Sequence, residues 1–236
     1  MHSRSLLRFF RSENEFRPPE QPAGIEYNQA HYIFVMDANQ LFSEIAAAGL
    51  LIDNDWTVKQ SDEYDSRTSH IYMCNTVDDL VHYSKVRNLN DFEISYAFHR
   101  WRNFKRHEAW LLLIVETVPG AKLSGEKFHK QKDFQISIGS SIHPFDLKVT
   151  RFPNSAKTDL SDSDLAKWFY EHQSRQGRFH LANRFFIVGE PEAALYNIEL
   201  ARQTLGKFAQ SMTSFRHLIE HSDGEFSRAV VLRQTH

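Results

Sequence analysis

The segment Ile142-His143-Pro144-Phe145-Asp146-Leu147-Lys148-Val149-Thr150 alternates apolar and polar side chains over most of its length, the period of a strand with one face turned to a core. Phe145, Leu147 and Val149 belong to the core face, which places Asp146 and Lys148 together on the opposite one. Upstream, Asp133-Phe134-Gln135-Ile136-Ser137-Ile138 repeats the alternation with Phe134, Ile136 and Ile138 inward. Gly139-Ser140-Ser141 supplies a turn, so the two segments read as paired strands. Asp133 and Asp146 then converge beside Lys148. Pro144 has no N–H to give a ladder and implies a strand start, a bulge or an edge.

Two carboxylates and an ammonium at one point are what metal-assisted phosphodiester hydrolysis needs. Oxygen ligands suit a hard cation that keeps several waters and can take a phosphate as another ligand. The metal acidifies an attacking water, and the lysine orients that water or offsets charge in the transition state. An Asp-x-Lys on a strand face also recurs by chance, so the surrounding elements matter. Asn90 to Val115 reads as a long helix, Ala121 to Leu123 as a short strand, and the two strands above follow. Ser161 to Gln173 is a helix with Ser161-Asp162-Ser163-Asp164 as its N-cap choices, and Arg184-Phe185-Phe186-Ile187-Val188 is a short, fully buried strand.

This arrangement resembles the PD-(D/E)XK nuclease superfamily, whose core runs helix, three strands, helix, strand. The blocks His99-Arg100-Trp101, Asn103-Phe104, Asp146 to Pro153, Trp168 to Ser174 and Asn183 to Val188 look like those of an uncharacterised bacterial group of restriction-endonuclease-like proteins, a match over roughly residues 92 to 188. The resemblance implies an α/β fold with a restriction-endonuclease-like core (αβββαβ, a mixed sheet flanked by helices). It makes Asp133 the first acid, Asp146 the second and Lys148 the lysine, with Mg²⁺ or Mn²⁺ as cofactor, DNA as substrate, and a bacterial restriction or defence setting.

The superfamily's further acid lies on the helix before the strands. Glu108 shares a helical face with Leu111 and Leu112 and is the first choice to join Asp133 and Asp146 at the metal, with Glu116 second and Glu93 third. Each taken alone reads more readily as a solvated helix carboxylate. Gln173 on the later helix suits a group that orients the lysine or a water. Arg100, Arg175, Arg178 and Arg184 suit phosphate contacts through their forked guanidiniums, although such clusters are commonly just solvated faces.

Composition limits these expectations. With 236 residues, 41% of them hydrophobic, the chain can bury a full core. Residues 1–24 read as a flexible segment, and 25–236 as one nuclease-like domain with its core near 90–190. A net charge of −2 and a pI near 6.7 imply weak, salt-sensitive DNA affinity. Cys74 is the single cysteine; it excludes an internal disulfide and fits a reducing cytoplasm. No apolar run is long enough for a membrane span. Ala30 to Ala48 reads as an N-terminal helical extension, and Trp56 to Val58 and His70 to Met73 as short strands. Pro191 to Glu220 carries an amphipathic helical pattern suited to a homodimer or partner-protein contact.

Two rival readings use the same residues. Arg102 and His107 match the Arg-x4-His spacing of HEPN ribonucleases, which cut RNA without metal through acid–base chemistry, although that fold is all helical. Alternatively the chain keeps the nuclease fold as a catalytically degenerate binding or assembly subunit.

Overall fold

A computed structural model describes residues 36–52, 61–124, 133–154, 159–173, 182–212, 217–220 and 224–235. The expected flexible segment 1–24 and the strand expected at Trp56 to Val58 lie outside them. The chain divides into two compact units, Met1–Asn103 and Phe104–His236, where the sequence suggested one domain over 25–236.

The first unit is helical. Helix α1 (Ala38–Gly49) starts at a capping box in which the Asp37 side chain accepts the Gln40 N–H and the Gln40 side chain accepts the Asp37 N–H. These reciprocal bonds satisfy donors that a helix start leaves open. Helix α2 (Asp62–Arg67) is capped by Ser61 and α3 (Val77–Val86) by Thr76. His70 to Met73 lies in a 3₁₀ helix, Ser69–Met73, rather than a strand; Ile71 is buried, whereas Tyr72 and Met73 point outward. Helix α4 (Asp91–Thr117) begins in this unit and crosses its boundary. Leu80, Ile94, Phe98 and Trp101 form the core with Ile71 and Cys74, and the Trp101 indole N–H donates to the Cys74 carbonyl at 2.9 Å.

The second unit is built on a mixed sheet flanked by helices. After the end of α4 come β1 (Ala121–Leu123), β2 (Phe134–Ile138), β3 (Ser141–Arg151), α5 (Asp162–Gln173), β4 (Arg184–Glu190), a 3₁₀ turn at Glu192–Tyr196, α6 (Ile198–Gln210), β5 (His217–Glu220) and β6 (Phe226–Thr235). The six strands lie in the order β1-β2-β3-β4-β6-β5. The first three form an antiparallel meander, β4 is parallel to both β3 and β6, and β5 closes the sheet antiparallel to β6. Gly139, at φ 58°, opens the two-residue loop between β2 and β3, where a positive φ favours glycine. Strand β4 has parallel neighbours on both sides, so its apolar run is buried on both faces. On one face Phe186 and Val188 pack with Leu165 and Phe169 of α5. On the other, Phe185 meets Phe134, Phe145 and Phe208 edge to face.

The continuous helix expected over Pro191 to Glu220 is replaced by the 3₁₀ turn, α6 and then strand β5. Leu195, Ala201, Leu205 and Phe208 are buried, and Phe208 sits 5.3 Å from the ring of Phe185. That apolar stripe is used inside the unit, which removes it as the expected docking face for a dimer or partner. Among the described residues no helix is long and apolar enough to cross a membrane.

Candidate active site

Asp133 immediately precedes β2, and its N–H donates to the Phe145 carbonyl at 2.9 Å. Asp146 is the next residue along β3, so the first paired rung, Phe134 with Phe145, brings both acids to one end of the ladder. Leu147 lies past that rung, and its N–H donates to the Asp133 carboxylate at 2.7 Å. Asp133 thus completes the hydrogen bonding of the strand that carries the other two groups. Lys148 follows at the strand period and places its amine 2.9 Å from Asp146 Oδ2 and 3.1 Å from Oδ1.

The far side of Asp146 is also fixed. Its N–H donates to the Asn183 carbonyl at 2.9 Å. The Asn183 amide donates to the Pro144 carbonyl at 3.1 Å and accepts the Arg228 N–H at 2.8 Å. One side chain therefore joins the entries of β3, β4 and β6. Pairing of β3 with β4 starts only at Asp146 and Arg184. The missing N–H of Pro144, on the same side of the strand as the Asp146 N–H, faces the stretch before that pairing begins, which is why proline is tolerated there. Arg184 is buried: its Nε lies 3.9 Å from Asp146 Oδ2, and its guanidinium sits 4.6 Å from the centre of the Tyr170 ring. Burial pushes the Tyr170 phenol up, and its hydroxyl donates to the Ala182 carbonyl at 2.7 Å.

The two carboxylates are driven apart electrostatically. Burial raises Asp133, but the His107 ring, the Leu147 N–H and the Lys148 charge outweigh it and hold the carboxyl below its ordinary range. Burial wins at Asp146: the carboxyl is pushed up, because the Lys148 and Arg184 charges only partly offset burial and the repulsion of Asp133. Such a split separates a group held ionised from one poised to take a proton. Lys148 remains 41% exposed while Asp146 is 16% exposed, so the amine has room to leave the carboxylate.

The helix side differs from expectation. Glu108 is held by Lys105 at 2.9 Å, with both side chains largely buried. Glu116 is exposed. Glu93 caps the start of α4, accepting the Asn90 N–H at 3.0 Å and pairing with Arg67. The α4 residue that reaches Asp133 is His107, whose Nε2 is 3.3 Å from its Oδ2. The i,i+3 spacing of Lys105 and Glu108 is a sequence signal for their pairing; His107 had a sequence role only in the Arg102/His107 reading. Arg102 instead lies against Gly49, where an added Cβ would come within 2.8 Å of its guanidinium.

The expected phosphate-binding arginines also divide. Arg184 is part of the interior beside Asp146. Arg100 is only 11% exposed and pairs with Asp65 at 3.3 Å, while its guanidinium donates to the Asp65 carbonyl, Thr68 and Tyr72. Its fork therefore braces the helical unit. Arg175, Arg178 and the side chain of Gln173, the last residue of α5, lie outside the described residues. Among the described residues no three His, Cys, Asp or Glu side chains stand together as a ready metal shell.

Comparison with known proteins returned no matching family model and no significant match among curated proteins or solved structures.

Proposed function

We propose that the second unit is a metal-dependent nuclease that hydrolyses DNA phosphodiester bonds, with Asp133, Asp146 and Lys148 as its working groups. The observation that carries this reading is the meeting of Asp133 and Asp146 at one end of the β2–β3 ladder with the Lys148 amine on Asp146. The order α4-β1-β2-β3-α5-β4 supports it, since it runs helix, three strands, helix, strand.

The donor set fits Mg²⁺ or Mn²⁺: both carboxylates offer hard oxygens, and such ions are commonly held by one or two carboxylates while water and substrate phosphate fill the remaining positions. Bound there, the metal would supply Lewis acidity toward a phosphate oxygen and a more acidic attacking water. Asp133, kept ionised, holds its carboxylate in place through the Leu147 N–H. Lys148, partly exposed, exchanges Asp146 for the substrate and balances the charge that develops on its phosphoryl oxygens. Arg184 remains behind Asp146 and keeps a positive charge near it when the lysine has moved.

Incubating the purified chain with plasmid DNA and Mg²⁺, Mn²⁺ or EDTA tests the proposal. Cleavage is expected with either ion and not with chelator, and Asp146→Asn and Lys148→Ala should each abolish it. Cleavage that survives Lys148→Ala, or no cleavage under any condition, would sink it. The second reading, a nuclease-fold subunit that binds or assembles without cutting, is favoured by one observation: Glu108 is committed to Lys105. DNA binding by gel shift with no cleavage would select that reading.

A further inference from the structure

The residue of α4 that meets Asp133 carries nitrogen. His107 Nε2 lies 3.3 Å from Asp133 Oδ2, and the two side chains are 33% and 22% exposed, so the pair is open to solvent. Glu108, the neighbouring oxygen donor, is held by Lys105 at 2.9 Å. We propose that His107 and Asp133 form a mixed nitrogen–oxygen grip for a divalent cation, making the site selective for a first-row transition ion such as Mn²⁺ over Mg²⁺. This rests on the metal-dependent reading above and says which ion serves it.

A separation of 3.3 Å suits two donors on neighbouring corners of one ion: with bonds of roughly 2.1 Å on each side the angle at the cation is about 100°. Imidazole is a good ligand for transition ions, whereas Mg²⁺ demands oxygen and gives up water reluctantly. The Asp146 carboxylate is covered by Lys148. The chain therefore offers two donors before the lysine moves, and water fills the remaining positions. An all-oxygen site would show little preference between the two ions; this one discriminates through the ring.

Calorimetry of MnCl₂ and MgCl₂ with the full chain, checked by loss of the free Mn²⁺ electron-paramagnetic signal, reads binding without requiring turnover. We expect Mn²⁺ to bind at least about tenfold more tightly than Mg²⁺. His107→Gln should weaken Mn²⁺ by about tenfold or more while changing Mg²⁺ little, the usual scale for loss of a group that shapes a metal site. His107→Glu, which restores an oxygen donor, should strengthen Mg²⁺ relative to Mn²⁺. Circular dichroism establishes that both variants are folded, and the gain of Mg²⁺ affinity in His107→Glu alone separates ligation from a packing defect, which would weaken both ions. If both ions bind the wild type and the Mn²⁺/Mg²⁺ ratio is unchanged by either substitution, His107 is not a ligand and this inference is overturned while the nuclease reading stands. If neither ion binds the wild type, the metal-dependent reading falls with it.

Discussion

Replacing His70 by glutamine should remove a pH dependence built into the helical unit. His70 is 1% exposed, with Nε2 3.3 Å from the Ser84 hydroxyl oxygen. Burial, reinforced by the charges of Arg87 and Arg100, lowers its pKa from 6.5 to about 4. Between those values the unfolded chain binds the proton and the folded one does not, so stability is complete above the unfolded pKa and is lost as pH falls toward the folded one. At pH 5 the two pKa values give a loss of about 2 kcal/mol, which levels off near 3 kcal/mol once the pH is below both. His70→Gln keeps a polar group near Ser84 and cannot titrate. It should cost about 1 kcal/mol at pH 7.5 for the altered hydrogen bond, yet become the more stable protein at pH 5. Hydrogen exchange of the α3 amides at the two pH values, corrected for intrinsic rates, reads the opening free energy of this unit. A wild-type-minus-variant difference that stays constant within about 0.5 kcal/mol, or moves the other way, would refute the account of a buried neutral imidazole.

The two site acids should respond unequally to removal of charge. Asp133→Asn loses an ionised acceptor that serves Leu147 and His107 and should lower stability in urea unfolding by about 1–3 kcal/mol. Asp146→Asn removes a carboxyl whose ionised form burial disfavours but also the charge beside the buried Arg184, so the two effects offset and the urea midpoint should fall less than in Asp133→Asn. Because the Asp146 carboxyl is pushed up, wild-type activity that needs it ionised should fall as pH drops toward that raised value, and in the inactive Lys148→Ala the loss of the ammonium should move the titration of the Asp146 carboxyl itself to higher pH; carboxyl ¹³C titration of both proteins measures this. Gly189→Ala places a Cβ 2.5 Å from Leu195 Cγ, so calorimetric melting should show a loss of about 1–3 kcal/mol, partly recovered when Leu195 is also shortened to alanine. Arg100→Lys cannot reproduce the forked contacts to Asp65 and Thr68; a urea midpoint equal to wild type would show that those contacts contribute nothing.

Local patterns were readable wherever neighbours in sequence are neighbours in space. The period-two alternation around Phe134 and around Phe145 marks strands that are present, and the Ser161 cap marks the start of α5, with its hydroxyl accepting the Asp164 N–H at 3.1 Å. The same pattern put Asp146 and Lys148 on one face, where the structure has them 2.9 Å apart. The pairing that brings Asp133 to them was legible from the turn at Gly139. By contrast, His70 to Met73 looked like a strand because four residues with two apolar members fit a 3₁₀ turn equally well. Strand β6 was missed because its partners β4 and β5 lie on either side of it in space, and nothing within Phe226–Thr235 names them.

The sequence by itself determined the α/β character, the order of helices and strands from α4 to β4, and the candidate triad, because these depend on side-chain periodicity and short turns. Tertiary structure decided how charged groups are matched. Lys105 claims Glu108, Asp65 claims Arg100, Asp146 draws Arg184 inward beneath Tyr170, and His107 becomes the helix residue at Asp133. A charged side chain entering a low-dielectric interior takes an oppositely charged or hydrogen-bonding partner, because leaving it unpaired costs several kcal/mol (order of magnitude). Which partner is within reach depends on packing between segments far apart in the chain, information that no local window of the sequence contains.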